Sequence, residues 1–231
     1  MTKQNPAHNL IVVRDKITQA CQRYRRIREQ VCLIAVSKTR SVEEIRSVAA
    51  QGQIHFGENY VQESVDKIGE ITDIELIWHF IGPIQKNKTK LIAENFSWVH
   101  SIDRESVAVR LNNQRPSALP ALNICLQINI DNEDSKSGVT PAALLPLAET
   151  IQQLPHLKLR GLMAIPSAST EFDQQSASFQ KMATLLSELN QQGCEVDTLS
   201  MGMSNDFEAA IACGSTMVRI GTAIFGPRHD S

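Results

Sequence analysis

The sequence predicts an α/β fold, a single (β/α)8 barrel of the TIM type with an extra N-terminal helix. Two observations carry this prediction. Short apolar runs typical of strands alternate about eight times with segments typical of helices, and no linker or low-complexity stretch divides the 231 residues. We therefore expect one domain over residues 1–231. An open, doubly wound parallel sheet is the alternative that the same alternation allows.

The first elements have clear boundary signals. A helix is predicted over residues 9–28, and the first strand is the apolar run that stops at Lys38. Ser41, followed three residues later by Glu44, has the capping-box spacing and predicts a helix that stops near Gly52. The order then repeats, with strands predicted at residues 54–59, 76–82 and 98–102 and helices that run through Ile68, from Lys88 and from Arg104.

The second half of the chain continues the alternation. Aliphatic and β-branched runs predict four more strands, at residues 122–130, 159–165, 198–201 and 217–220. Helices are predicted between them, at residues 141–154, through Asn190 and at residues 205–213. Eight such units in a chain of this size favour the closed barrel over the open sheet.

The composition argues against several classes of partner. The 23 basic and 25 acidic residues leave a formal net charge of −2, so no basic excess favours nucleic acid or an anionic membrane surface. No stretch approaches the length of a transmembrane helix, and the start lacks the apolar core of a secretory signal. Five scattered cysteines indicate reduced thiols in a cytoplasmic protein rather than a disulfide framework or a zinc site.

The predicted strands end in residues suited to a site. In barrels of this kind the functional face is at the carboxyl ends of the strands. The repeated position of these residues is a stronger signal than any one of them. In chain order they are Lys38, Glu58, Asn59, His79, Ser101, Asp103, Asn129, Asp131, Met163, Ser204, Arg219, Gly221 and Thr222.

Two features of this set, an amine and a group of phosphate-binding residues, point to a phosphorylated aldehyde. A lysine partly desolvated at a barrel mouth can form a Schiff base, although an exposed lysine at a strand end is the other interpretation of Lys38. Ser204 is predicted to cap a helix whose first amides favour an anion, Gly221 allows close backbone approach, and Thr222 adds a hydroxyl. The alternative is that Ser204 is an ordinary helix cap and that Gly221 serves only for packing. Pyridoxal phosphate is the commonest such aldehyde in proteins.

The remaining candidates have both a functional and an ordinary interpretation. Arg219 lies two residues before Gly221, so both face the same side of a strand, and its apolar neighbours favour a head group directed into the site rather than a surface ion pair. His79 lies in an apolar strand, where a hydrogen-bonded core histidine is the more frequent case. Asn59 either bonds the cofactor ring or caps the next helix.

Several blocks of the chain closely resemble the pyridoxal phosphate homeostasis protein family. They are AVSKT at residues 35–39, FGENYVQE at 56–63, WHFIGPIQKNK at 78–88, RGLMAIP at 160–166 and GSTMVRIGT at 214–222. The resemblance implies a barrel like that of alanine racemase, usually monomeric, with pyridoxal phosphate held covalently on Lys38. It further implies that Ser204, Gly221 and Thr222 hold the phosphate and that Arg219 faces the pyridine nitrogen.

The resemblance implies a role in cofactor and amino-acid homeostasis without an established catalytic activity, with apo-enzymes that need pyridoxal phosphate as candidate recipients. A racemase-like enzyme that uses the same cofactor is the alternative. A phosphosugar lyase or aldolase with a barrel lysine is a third hypothesis, and it differs from the first two because that protein would be colourless.

Two features lead us to expect weak catalysis. Racemisation needs a proton donor on each face of the cofactor, and in alanine racemases the second is a tyrosine from a further domain that this sequence, ending at Ser231, does not contain. The two tyrosines, Tyr24 and Tyr60, fall at no suitable strand end. Arg219 cannot accept a proton, so it disfavours protonation of the ring nitrogen and weakens the electron sink.

Overall fold

Eight parallel strands close into a barrel in the computed structural model, which describes residues 5–131, 133 and 136–227. The predicted domain of residues 1–231 extends beyond these ranges. The strands are β1 (Cys32–Val36), β2 (His55–Glu58), β3 (Ile77–Phe80), β4 (Trp98–Ile102), β5 (Leu122–Ile128), β6 (Leu157–Ala164), β7 (Thr198–Ser200) and β8 (Met217–Ile220). Each pairs with the next, and β8 pairs with β1. The predicted barrel is confirmed and the open sheet is wrong.

Helices alternate with these strands. In chain order they are α1 (Pro6–Arg23), α2 (Val42–Ala49), α3 (Val61–Glu70), α4 (Thr89–Asn95), α5 (Glu105–Gln114), α6 (Pro141–Gln152), α7 (Phe172–Gln191), α8 (Phe207–Ala212) and α9 (Thr222–Phe225). Short 3-10 helices lie at Arg28–Gln30 and Lys86–Lys88. No helix in the described part of the chain is long and apolar enough to span a bilayer.

The extra N-terminal helix is present and packs across the point where the barrel closes. Asn5 caps α1 and Pro6 occupies its first position, so the start of the helix follows directly from its sequence. Leu10, Val13 and Ile17 share the buried face, which contacts α2, α8 and α9. The helix ends at Arg23, five residues earlier than predicted, and the 3-10 helix begins at Arg28, where the prediction had placed the end of α1.

Alternation along the strands divides the core into two parts. The larger part fills the space between the barrel and its helices. The smaller part fills the barrel interior and contains Ile34, Trp98, Cys125, Met163 and Met217, one residue from each of five strands. Residues that continue the inward-facing rows therefore emerge at the open carboxyl end, where the candidate site lies.

Two local predictions are corrected by the structure. The first strand ends at Val36, so Lys38 lies two residues beyond it rather than within it. Ser204 does not cap α8, because the chain makes one further turn and the helix begins at Phe207. In that turn the Met203 amide donates to Oδ1 of Asp206 at 2.5 Å, and Asp206 is the residue that precedes the helix.

Candidate functional site

A cavity of about 1030 Å³ opens at the carboxyl end of the barrel. It brings together six of the residues that the sequence singled out, from the ends of β1, β2, β7 and β8. These are Lys38, Asn59, Ser204, Arg219, Gly221 and Thr222. An amine, a guanidinium, an amide and two hydroxyls therefore share one space, as expected from their positions after the strands.

The backbone on both sides of Lys38 is fixed by carboxylates. The Ser37 hydroxyl donates to Glu58 Oε1 at 2.6 Å, and the Thr39 amide donates to Glu63 Oε1 at 2.6 Å. Thr39 has a φ of 61°, a left-handed conformation that a β-branched residue rarely adopts. The fold thus holds a strained residue directly after Lys38, which restricts where the lysine side chain can start.

A buried lysine joins these two carboxylates. Lys67 donates to Glu58 Oε1 at 3.0 Å, to Glu63 Oε1 at 2.5 Å and to the Ser37 carbonyl at 2.8 Å. Glu58 is fully buried and Lys67 nearly so. Burial raises the pKa of Glu58, and the nearby Lys67 ammonium and Ser37 hydroxyl oppose that rise. The group that positions Lys38 is thus an ion pair inside the protein.

Asn59 lines the cavity and carries a buried acceptor. Its Oδ1 atom is buried and has no hydrogen-bond partner among the described residues. A buried acceptor without a donor is unfavourable, so this atom is suited to a ligand that carries a donor. Gly82 packs against the Asn59 backbone from behind and fixes its position.

Arg219 is a buried cation in the cavity wall. It is 4% exposed, and its Nη1 donates to the Ser200 carbonyl at 2.5 Å and to the Ser200 hydroxyl at 2.7 Å, while Nη2 donates to the Ala164 carbonyl at 2.9 Å. Burial lowers the pKa of Arg219 to about 10, with Asp206 opposing the change. These three acceptors are neutral, so the guanidinium keeps its positive charge available to a ligand.

The β7 and β8 ends form the other side of the cavity. Gly221 directly precedes α9, and a Cβ at this position would lie 3.2 Å from the Val36 carbonyl oxygen. A larger residue would therefore press on β1. Thr222 is exposed to the cavity and Ser204 partly so. Asp206 also lines the cavity, and burial raises its pKa, against hydrogen bonding from the Met203 amide.

Two predicted residues lie below the cavity instead of on its wall. His79 and Met163 are fully buried inside the barrel. Met163 belongs to the interior apolar cluster, and His79 is hydrogen bonded to two other histidines, His55 and His100, at 2.9 Å each. His79 is therefore a hydrogen-bonded core residue, which is the more frequent case for a histidine in an apolar strand.

Sequence reasoning missed one wall of the cavity. The segment between β6 and α7 contributes Ile165, Pro166 and residues 168–171, and none of these is among the predicted site residues. Because this segment follows a barrel strand, its position alone could have identified it as part of the cavity wall. Neither Tyr24 nor Tyr60 lines the cavity.

The barrel and its lysine-containing cavity place the protein in a known class. The family described as alanine racemase, N-terminal domain, matches residues 12–229. The pyridoxal phosphate homeostasis protein of Escherichia coli K12 is 53% identical over 228 residues, which cover 97% of each chain. The chain belongs to the pyridoxal phosphate homeostasis protein family.

Solved structures agree with this assignment. The PipY protein of Synechococcus elongatus, solved with PLP bound, is 37% identical, with a TM-score of 0.80 over 91% of this chain and 100% of that one. Alanine racemase from Corynebacterium glutamicum is 19% identical, with a TM-score of 0.71 over 98% of this chain and 62% of the racemase. At that identity the second similarity shows the fold alone.

Proposed function

We propose that this protein holds pyridoxal 5'-phosphate as a Schiff base on Lys38 and acts in vitamin B6 and amino-acid homeostasis without strong catalytic activity of its own. The observation that carries the proposal is the cavity that gathers Lys38, Arg219, Ser204 and Thr222 at one end of the barrel. Membership of the family and the PLP-bound PipY structure support the choice of ligand.

The residues present fit the chemical groups of this cofactor. Its aldehyde needs an amine, its phosphate needs donors, and its ring nitrogen is an acceptor. Lys38 supplies the amine, and Ser204, Thr222 and the backbone beside Gly221 are the proposed phosphate ligands. Asn59, which also lines the cavity, is the proposed hydrogen-bond partner of the cofactor ring.

Arg219 is the proposed partner of the ring nitrogen, and it sets the character of the site. A bound pyridoxal ring supplies an electron sink, which is strongest when its nitrogen is protonated. A guanidinium with a pKa of about 10 donates hydrogen bonds and accepts none, so it keeps that nitrogen unprotonated at neutral pH. Such a site favours storage and release of the aldehyde over the stabilisation of carbanions.

The racemase-like alternative needs an acid and a base on opposite faces of a bound amino acid. Among the described residues that line the cavity, the ionisable side chains are Lys38, Glu171, Asp206 and Arg219. Since neither tyrosine of the chain lies there, the tyrosine of the racemase pattern has no counterpart. This favours a carrier over a racemase.

We further propose that the protein works as a monomer and passes its cofactor to apo-enzymes that depend on pyridoxal phosphate. Transfer is measured by mixing loaded protein with such an apo-enzyme and following the recipient's regained activity. A recipient that is activated no faster than by free pyridoxal phosphate at the same concentration contradicts direct transfer. Light scattering of the loaded protein tests the monomer.

The central experiment uses colour and covalent trapping. Purified protein with pyridoxal phosphate should be yellow, and borohydride should fix the label on the peptide that contains Lys38. Lys38→Ala should lose the trapped label, whereas Lys90→Ala, at an exposed position on α4, should keep it. Label on another lysine contradicts the site, and amino-acid racemisation at ordinary enzymatic rates by the yellow protein contradicts the non-catalytic role.

A further inference from the structure

A chain of hydrogen-bonded side chains crosses the barrel interior and ends on Arg219. His55 Nδ1 lies 2.9 Å from His79 Nε2, and His79 Nδ1 lies 2.9 Å from His100 Nε2. His100 Nδ1 lies 2.7 Å from the Ser200 hydroxyl, which accepts from Arg219 Nη1 at 2.7 Å. Five strands, β2, β3, β4, β7 and β8, each contribute one residue.

This chain of hydrogen-bonded side chains is shielded from water except at its His55 end. His79, His100 and Ser200 are fully buried, and Arg219 nearly so. The His79 ring stacks on Trp98, with centroids 5.5 Å apart and planes inclined by 19°. His55 is half-buried at the start of β2, the end of the barrel opposite the cavity. This hydrogen-bonded chain thus runs from the amino-terminal end of the barrel strands to the cavity wall.

All three imidazoles are neutral at physiological pH. Burial, and then the Arg219 charge, lower the pKa of His100 to about 3. Burial lowers the pKa of His55, and burial together with the two neighbouring rings lowers that of His79. On β5, burial raises the pKa of the Cys125 thiol to about 12, so it faces the chain uncharged. Each ring therefore has one N–H and one bare nitrogen.

Arg219 determines the direction of every bond in the chain. A guanidinium only donates, so the Ser200 oxygen accepts from it, and the Ser200 hydrogen then has His100 Nδ1 as its partner. His100 must carry its own hydrogen on Nε2 and donate to His79, which donates in turn to His55. The reverse direction would leave the Ser200 hydrogen without one of these acceptors. The consistent arrangement has all three rings protonated on Nε2.

We propose that His55, His79, His100 and Ser200 are positioning residues that orient Arg219 toward the cofactor ring nitrogen through this one-way chain. The inference rests on the proposed function. Every bare nitrogen and lone pair in the chain points toward the guanidinium, so the aligned dipoles stabilise a buried cation that has no carboxylate within ion-pair distance among the described residues. The chain also fixes the Ser200 rotamer, and with it the plane of the guanidinium.

The first test examines the protein without any substitution. In protein labelled with ¹⁵N-histidine, long-range ¹H–¹⁵N spectra distinguish the two tautomers of each neutral ring. We expect His55, His79 and His100 to be protonated on Nε2, and the His100 nitrogens to shift when pyridoxal phosphate binds, while those of the remote His156 stay unchanged. A hydrogen on Nδ1 of His100, or no shift on loading, overturns the proposal.

The second test breaks the chain at its middle. His100→Phe keeps a ring of similar size and removes both nitrogens. The visible absorption band of the loaded protein should titrate with a midpoint at least about half a pH unit away from the parent, a threefold change in the acid constant. His100→Gln keeps a donor and an acceptor, so its midpoint should lie closer to that of the parent than the midpoint of His100→Phe does. Trp98→Phe disturbs the same packing without breaking the chain and should leave the midpoint unchanged.

The outcomes separate this inference from the proposed function. Loss of the borohydride label in unsubstituted protein contradicts pyridoxal phosphate on Lys38 and leaves the tautomers to be judged from the ligand-free spectra. A lower melting temperature for His100→Phe with an unchanged absorption midpoint makes the histidines merely structural and overturns the inference. If that variant does not fold, the tautomer assignment of the unsubstituted protein decides.

Discussion

Gly82 contacts the backbone of the cavity wall more closely than any other residue type permits. A Cβ at this position would lie less than 3.0 Å from the carbonyl oxygen, carbonyl carbon and Cα of Asn59. Those atoms belong to main chain and cannot rotate away. A side chain here would therefore displace Asn59, a residue of the cavity wall whose Oδ1 is buried and has no hydrogen-bond partner among the described residues.

Gly82→Ala should lower the free energy of unfolding by about 1–3 kcal/mol, because the added methyl group overpacks a rigid site. Denaturant unfolding of the variant measures the loss. Gly69→Ala is the matched control, since position 69 is exposed in α3 with nothing within 4 Å of a built Cβ. That helical substitution should be neutral or stabilising by about 0.5 kcal/mol. Equal stability of Gly82→Ala and the parent contradicts the steric argument.

At the scale of elements, β1, β2 and α3 are tied together beneath Lys38 by ion pairs. Lys67 of α3 contacts Glu58 of β2, and Glu58 in turn accepts from Ser37, which follows β1. Glu63, also on α3, accepts from Thr39. The two residues beside Lys38 are thus held by elements that follow it in the chain, and this explains how a strained Thr39 is maintained.

Removing the Lys67 side chain should reveal how strongly the Glu58–Lys67 pair is desolvated. Lys67→Met leaves the fully buried Glu58 without its cation, so we expect a loss of about 3–5 kcal/mol at neutral pH. Lys90→Met is the control, because Lys90 forms an exposed pair with Glu94 and should change stability by under about 1 kcal/mol. Chemical denaturation of both variants provides the measurement.

The loss of stability caused by Lys67→Met should depend on pH, and it should be smaller at acidic pH. The pKa of Glu58 is raised in the folded protein above its ordinary value of 4.5, so the fold favours the protonated acid. Its favourable contribution is complete below that ordinary value and disappears as the pH rises through the folded pKa. Without Lys67 the folded pKa rises further, so the deficit of Lys67→Met should shrink as the pH falls from 7 toward about 4.5. A deficit that grows on acidification contradicts this assignment.

At the scale of the whole molecule, periodicity and strand-end chemistry predict most of the architecture. The eight alternating units predict the closed barrel, and β4 and β8 have the bounds expected from their apolar runs. Positions two residues apart on one strand predict that Arg219 and Gly221 share a cavity. These are local patterns that a single sequence contains.

The features that the sequence did not predict depend on distant contacts. The chain from His55 to Arg219 joins five strands, and no local pattern relates histidines that lie 24 and 21 residues apart. The Lys67 cluster and the segment between β6 and α7 likewise become parts of the site only when the barrel closes. The start of α8 differs from the prediction because a turn over residues 203–206, in which the Asp206 carboxylate accepts from the Met203 amide, precedes the helix.

Ligand binding should stabilise the whole barrel, since the cavity joins the first strand to the last two. A ligand that binds only the folded state adds about 2.7 kcal/mol at one hundred times its Kd. We expect pyridoxal phosphate to raise the melting temperature more than pyridoxal does, because pyridoxal lacks the group proposed to bind Ser204 and Thr222.

Lys38→Ala should reduce this rise in melting temperature but not abolish it, since the contacts of Ser204, Thr222 and Arg219 remain. Differential scanning fluorimetry with both compounds and with inorganic phosphate gives the comparison. Equal stabilisation of the parent by pyridoxal and by pyridoxal phosphate would mean that the β7 and β8 ends do not bind the phosphate.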